Sequence, residues 1–157
     1  MSTFHYILEN LPYSKPFLFV DRLLSMSETN IEGSYTFTKD EFFYAGHFKD
    51  QPVTPGVILT ECMAQIGLVC FGIFLLKNES SSTEKEVLPK HKIALTNNNI
   101  DFFLPVFPGE MVKVFSEKEY FRFNKLKCKV KMLNEKNEVV CKGVISGMIY
   151  SMPQKDY

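Results

Sequence analysis

Residues Tyr44–Gln65 read YAGHFKDQPVTPGVILTECMAQ, and this stretch decides the fold. A histidine, His47, follows Gly46 in a turn-rich segment. Prolines at 52 and 55 keep residues 51–55 extended, because the residue before a proline avoids the helical region. A long apolar run then begins at Pro55-Gly56 and carries one carboxylate, Glu61, with Gln65 one turn further on the same face. Thr54 is placed to N-cap this helix and Pro55 to take its first position. The helix is expected from about Pro55 to Leu76. Its apolar residues go all the way round, the pattern of a helix buried on most sides. Ala64, Gly67 and Gly72 are small enough to let strands or a second helix approach closely.

The flanking sequence says what surrounds that helix. A short apolar stripe, Phe4, Ile7, Leu8 and Leu11, gives a weak helical pattern over Met1–Asn10, and two prolines then break the chain at Leu11–Pro16. Phe17–Met26 reads as a strand, with Asp21 and Arg22 either solvated or ion-paired at its middle. Ile31–Thr38 alternates as a half-exposed strand, and Lys39–Phe43 reads as one helical turn leading to His47. The last third is strand-rich. Lys92–Phe103 reads as one or two strands broken near Asn97–Asn99, Met111–Phe123 as a long strand, and Asn124-Lys125 as a hairpin turn. Leu126, Cys128, Val130 and Met132 alternate with lysines, and Val139–Tyr150 follows a turn at Glu135–Asn137. One buried helix and one antiparallel sheet make an α+β layer in a single domain spanning 1–157. Residues 77–90, KNESSSTEKEVLPK, are polar and Ser-rich and read as a mobile surface loop.

Composition narrows the classes. The 18 basic and 18 acidic residues cancel, so no bulk attraction draws the chain to nucleic acid. The four cysteines lack paired-ligand spacing and only three histidines accompany them, which argues against a metal site and for reduced, half-buried thiols of a cytoplasmic protein. No basic segment followed by an apolar run opens the chain, so no signal peptide is expected. Val57–Leu76 is long enough to span a bilayer. Thr60, Glu61 and Gln65 lie within it, and a carboxylate in lipid costs several kcal/mol. A helix wrapped by protein fits better, with no membrane span.

The chemistry of the opening stretch follows from three groups. Near neutral pH a histidine is a usable base, although a backbone-satisfied His47 in a tight loop is the plainer alternative. Glu61 lies roughly 9 Å into the helix among Ile58, Leu59, Cys62 and Met63, an enclosure expected to raise its pKa and make it a proton donor. Pairing with Arg22 or a lysine is the alternative. Free N–H groups at Gly56 and Val57 offer a positive helix end to a carbonyl oxygen gaining charge. Base, acid and oxyanion site together suit removal of a proton α to a thioester carbonyl with loss of a β-hydroxyl. No cofactor enters this chemistry.

Three segments carry a family resemblance: PFLFVDRLL at Pro16–Leu24, FFYAGHFKDQPVTPGVILTECMAQ at Phe42–Gln65, and IDFFLPVFPGE at Ile100–Glu110. Over about residues 10–148 the chain resembles FabZ-type 3-hydroxyacyl-(acyl carrier protein) dehydratases of the hotdog superfamily. The resemblance implies a long central helix wrapped by a curved antiparallel sheet, and catalysis by His47 and Glu61; Gln65, one turn from Glu61 and able to hydrogen-bond it, and Phe48 beside His47 are the supporting residues. It also implies an acyl carrier protein as partner, and a homodimer or trimer of dimers in which each site takes His47 and Glu61 from different subunits. Aspartate in place of Glu61 would instead suggest the bifunctional dehydratase/isomerase relatives. The product would be a trans-2-enoyl thioester for fatty-acid or related polyene or pigment lipid synthesis. A hotdog thioesterase and a non-catalytic acyl-binding subunit are the other readings. Lys15, Lys49, Thr54, Asn97–Asn99 and Leu104 depart from the family pattern, and Leu104 stands where basic residues linked to carrier docking are usual. None of these departures touches His47 or Glu61.

Overall fold

The computed structural model describes residues 4–79 and 91–151. A short helix α1 (His5–Glu9) leads to β1 (Arg22–Met26) and β2 (Asn30–Thr36). A 3₁₀ turn (Phe42–Ala45) precedes the long helix α2 (Gly56–Glu79), and β3 (His91–Phe102), β4 (Met111–Arg122), β5 (Lys125–Leu133) and β6 (Val139–Ser151) follow. The strands form one six-stranded sheet in the order β1-β2-β4-β5-β6-β3, with every neighbouring pair antiparallel. Of the segment expected to be a mobile loop, residues 77–79 are the end of α2 and the rest lies outside the described residues.

α2 is the core. It is long and apolar enough to cross a membrane, but 83% of its most apolar window is buried inside the protein. Cys62, Met63, Ile66, Leu68, Cys70 and Phe71 are all at or near zero exposure. The sheet supplies the opposing face through strict alternation: Val112, Val114 and Ser116 on β4, and Leu126, Cys128, Val130 and Met132 on β5, point inward. Each of the Val, Leu and Met side chains among them contributes roughly 1.5–3 kcal/mol on full burial. The four cysteines are fully buried free thiols, more enclosed than expected. Burial pushes the Cys128 thiol up to about 11 and Cys141 to about 12.

Helix and sheet meet closely where side chains are smallest. A Cβ at Gly67 would lie 3.0 Å from the Cβ of Ser116, and the Ser116 hydroxyl donates to the Gly67 carbonyl at 3.0 Å. This contact falls in the one stretch of α2, Gln65–Cys70, wound as a π-helix. Such turns loosen the usual hydrogen-bond ladder and leave carbonyls open to outside donors. At Gly72 the added carbon would collide with Ile93 on β3.

Three local expectations are corrected, and one left open between two readings is decided. β1 begins at Arg22, not Phe17, because the backbone groups of Phe17 and Phe19 are taken by side chains of α2 rather than by a neighbouring strand. Of the two readings of Asp21 and Arg22 the solvated one holds: both side chains are exposed and form no ion pair with each other. The Asp21 carboxylate accepts from the Thr36 N–H at 2.7 Å and so ties the start of β1 to the end of β2. β3 runs unbroken through Asn97–Asn99 with one irregularity of register between Leu95 and Asn97, because β6 pairs with it along its whole length. At Gly143 a Cβ would collide with the Asn99 carbonyl, so glycine alone lets the two strands pair there. The β4–β5 turn is Phe123-Asn124, one residue earlier than expected, with φ of 52° and 60° and Arg122 paired to Lys125.

Two outcomes follow for stability. Gly143→Ala should lower the free energy of unfolding by about 3 kcal/mol or more, read from urea titration. Phe123 is 90% exposed at a left-handed φ. Phe123→Asn should therefore stabilise the two-residue turn by about 0.5–1 kcal/mol, seen as a higher midpoint with an unchanged slope.

Candidate active site

The loop that carries His47 is held by its own backbone. The Gly46 N–H closes the 3₁₀ turn on Phe43 O at 3.3 Å, and the N–H of His47 donates to the same carbonyl at 3.0 Å. Phe48 and Gln51 exchange hydrogen bonds across a tight turn, and the Val53 N–H donates to His47 O at 2.9 Å. This brings Val53 O within 2.8 Å of His47 Nδ1. A carbonyl only accepts, so in the neutral ring the proton sits on Nδ1 and Nε2 keeps its lone pair. The Phe48 ring stacks on the imidazole at 4.2 Å between centroids and is itself 59% exposed.

Thr54 does not cap α2. Its hydroxyl lies 2.6 Å from the hydroxyl of buried Tyr44, and its N–H donates to Val106 O. A buried phenol needs a polar partner, and Thr54 is the one in reach. Pro55 becomes the residue that precedes the helix, and Gly56 its first member. The N–H groups of Ile58 and Leu59 both donate to Pro55 O. Those of Gly56 and Val57 have no acceptor among the described residues. Val57 is 76% exposed, so the helix start reaches the surface. The space beside Gly56 is occupied by the edge of the Phe102 ring, which a Cβ there would meet at 3.3 Å.

Glu61 sits on the one less-buried side of α2, while Ile58, Leu59, Cys62 and Met63 face the core. Glu61 is itself partly buried, less enclosed than the four apolar neighbours around it. No ion pair to Arg22 or a lysine forms among the described residues. Instead Gln65 Nε2 donates to Glu61 Oε1 at 3.1 Å and to Phe17 O at 3.1 Å, while the Phe19 N–H donates to Gln65 Oε1 at 2.8 Å. The amide is fully buried with every strong bond it can make along this edge satisfied. Burial first, and then the charge of Glu61, hold the Tyr13 phenol well above its ordinary pKa, so a neutral hydroxyl stays near the carboxylate.

Glu61 and Gln65 are thus joined directly, His47 and Phe48 are joined to each other, and Gly56 and Val57 lie between them in the chain. Among the described residues no hydrogen bond or ion pair links His47 to Glu61. Sequence reasoning missed Val53, Tyr13 and the backbone of Phe17 and Phe19. Three of these act through main-chain atoms, which side-chain identity does not reveal. Tyr13 sits in a proline-rich link whose packing only the folded chain defines.

Comparison with known proteins agrees with this architecture. The FabA-like domain family matches residues 11–144. A 3-hydroxyacyl-(acyl-carrier-protein) dehydratase FabZ from Listeria innocua is 32% identical over 151 residues, covering 94% of this chain and 96% of that protein. A protein of the same name from Caldicellulosiruptor bescii is 33% identical over 138 residues, covering 87% and 91%. Among solved structures, the dehydratase heterocomplex ApeI:P from Xenorhabdus doucetiae superposes with a TM-score of 0.72 at 13% identity, over 95% of this chain and 91% of that one. A hypothetical thioesterase with coenzyme A from Streptococcus pneumoniae gives 0.59 at 9% identity, over 98% and 99%. At such identities these structures speak to the fold alone, and the fold is the hotdog: a long helix against one antiparallel sheet. With a family match over most of its length and relatives aligned nearly end to end, the chain belongs to the FabA-like domain family, among its FabZ-type 3-hydroxyacyl-(acyl carrier protein) dehydratases.

Proposed function

We propose that this protein removes water from 3-hydroxyacyl chains carried on acyl carrier protein, giving the trans-2-enoyl thioester for fatty-acid or related polyene or pigment lipid synthesis. The observation that carries the assignment of roles is the 2.8 Å contact of His47 Nδ1 with Val53 O, which leaves Nε2 as a lone-pair base. Nε2 takes the proton from the carbon α to the thioester carbonyl. The carbonyl oxygen gains charge and is held by the N–H groups of Gly56 and Val57, which have no acceptor of their own. Gln65 holds one oxygen of Glu61, and the other delivers a proton to the β-hydroxyl, which leaves as water. The C–O bond breaks as the C=C bond forms, and the proton on His47 balances the one Glu61 gave up. No cofactor takes part.

We further read the site as shared between two copies. His47 and Glu61 of one chain are not bonded to each other. β3 is an edge strand with Leu95–Asn99 exposed, and Val57, Phe102 and Phe48 leave apolar surface beside the helix start. An open edge and an apolar rim next to the site suit a second copy. The acyl carrier protein is the substrate-bearing partner, and a trimer of dimers is the larger form this reading allows. The four unpaired thiols suit the reducing cytoplasm. The domain is taken as one unit over 1–157.

His47→Ala and Glu61→Gln should each lower turnover of a 3-hydroxyacyl pantetheine thioester by about 10³-fold or more while the circular dichroism spectrum stays that of the parent. Release of free thiol in place of enoyl product would point to a thioesterase and overturn the dehydratase reading. Equal mixing of the two inactive variants, with subunit exchange, should restore about a quarter of parental activity, because half the dimers are mixed and each mixed dimer has one intact site. A mixture that exchanges subunits yet stays inactive would assign both residues to a site within one chain.

A further inference from the structure

Two stretches hold the candidate catalytic groups, and a third group of side chains joins them. Phe17–Phe19 anchors Gln65 and through it Glu61, by the Phe17 carbonyl and the Phe19 N–H. Phe42–Ala45 anchors His47 through the Phe43 carbonyl. Between them stands Tyr35 on β2, 1% exposed. Its hydroxyl donates to Glu41 Oε1 at 2.6 Å, and Glu41 is the residue on which the 3₁₀ turn starts. The same hydroxyl accepts from Lys15 Nζ at 3.1 Å, and Lys15 Nζ also donates to Leu18 O at 3.4 Å, inside the Phe17–Phe19 stretch.

The direction of this chain of bonds is fixed by chemistry. An ammonium only donates and a carboxylate only accepts, so the Tyr35 hydroxyl must accept from Lys15 and donate to Glu41. Charge at both ends strengthens the two bonds and polarises the hydroxyl between them. Burial keeps the Tyr35 phenol protonated, with its hydrogen bond to Glu41 adding to the effect. Glu41 has little else to hold it: Thr38 Oγ1 also donates to Oε1, while Oε2 is buried with no hydrogen-bond partner. The carboxylate is therefore anchored through a single oxygen. The Tyr44 N–H donates to Glu41 O at 3.2 Å, which passes the anchoring on to the turn before His47.

We propose that Lys15, Tyr35 and Glu41 form a positioning brace that, within one chain, ties the Glu61–Gln65 pair of one shared site to the His47 loop of the other through one shared hydroxyl. None of the three is placed to touch substrate; they act through Phe17–Phe19 on one side and Phe42–Ala45 on the other. The inference rests on the roles proposed for His47 and Glu61.

The decisive variant is Tyr35→Phe. It keeps the ring that packs edge-on against Phe19 at 5.6 Å and Phe37 at 4.9 Å, and removes only the hydroxyl. Steady-state kinetics on a 3-hydroxyacyl pantetheine thioester should show kcat reduced about tenfold with KM changed less than about twofold, the signature of misplaced groups rather than lost binding. Glu41→Ala should do the same, and Glu41→Gln, which keeps an acceptor for the hydroxyl, should retain about half or more of parental kcat. An activity-independent readout accompanies these: the imidazole signal of His47 and the side-chain amide signal of Gln65, followed by NMR, should both move in Tyr35→Phe and stay near parental in Glu41→Gln. Parental kcat in Tyr35→Phe overturns the brace, and so does a fall in kcat with both signals unmoved. Where Tyr35→Phe fails to fold, Lys15→Met at the exposed end is read by the same measurements. If the parent itself turns over no hydroxyacyl thioester, the dehydratase reading fails, and the two NMR signals alone decide the brace.

Discussion

The buried amide of Gln65 is the contact on which the rest depends. It sits where α2 changes from α to π winding, at zero exposure, and it satisfies three groups at once: the carbonyl of Phe17, the N–H of Phe19 and the carboxylate of Glu61. Each of those groups would cost about 1–3 kcal/mol if buried without a partner. Phe17–Phe19 can therefore lie against the helix without joining a sheet, and it can do so only in one register. The same amide fixes one oxygen of Glu61 and leaves the other free. Fold and candidate chemistry thus share one side chain.

The sheet solves the complementary problem of enclosing an apolar helix. Alternation along β4 and β5 supplies the facing layer, and the closest approaches are made by Gly67 and Gly72 on the helix. β3, reached after the helix has crossed the sheet, lies at the far edge beyond β6. That order brings the end of β3, Phe102, beside the helix start, where the N–H groups of Gly56 and Val57 have no acceptor among the described residues.

The candidate site has a division of labour that follows from which atoms can donate. Val53 O fixes the His47 tautomer because a carbonyl cannot donate. Lys15, Tyr35 and Glu41 have one possible direction for the same kind of reason. Most of these partners are main-chain atoms or residues distant in sequence. A rule about spacing finds His47, Glu61 and Gln65, which lie on one continuous motif. It does not find Tyr13 or Glu41, whose part comes from what the folded chain sets beside them.

By itself the sequence determined the helix, the alternation of the late strands, the α+β class and the Glu61–Gln65 neighbourhood, because each depends on periodicity or local spacing along the chain, and the motifs at Pro16–Leu24, Phe42–Gln65 and Ile100–Glu110 carried the family resemblance. Only the tertiary structure decided where competing partners fall. Phe17–Asp21 has strand composition but lies outside the sheet, since Gln65 and Cys62 claim its backbone. Thr54 has the chemistry of a helix cap but is taken by Tyr44. Asn97–Asn99 has turn composition but stays in β3, since β6 pairs through it and Gly143 makes room. Glu61 stands in an apolar run and is partly buried, with Gln65 as the partner that the fold gives it. In each case local preference is worth about 1 kcal/mol or less, and a buried long-range hydrogen bond or packing contact outweighs it.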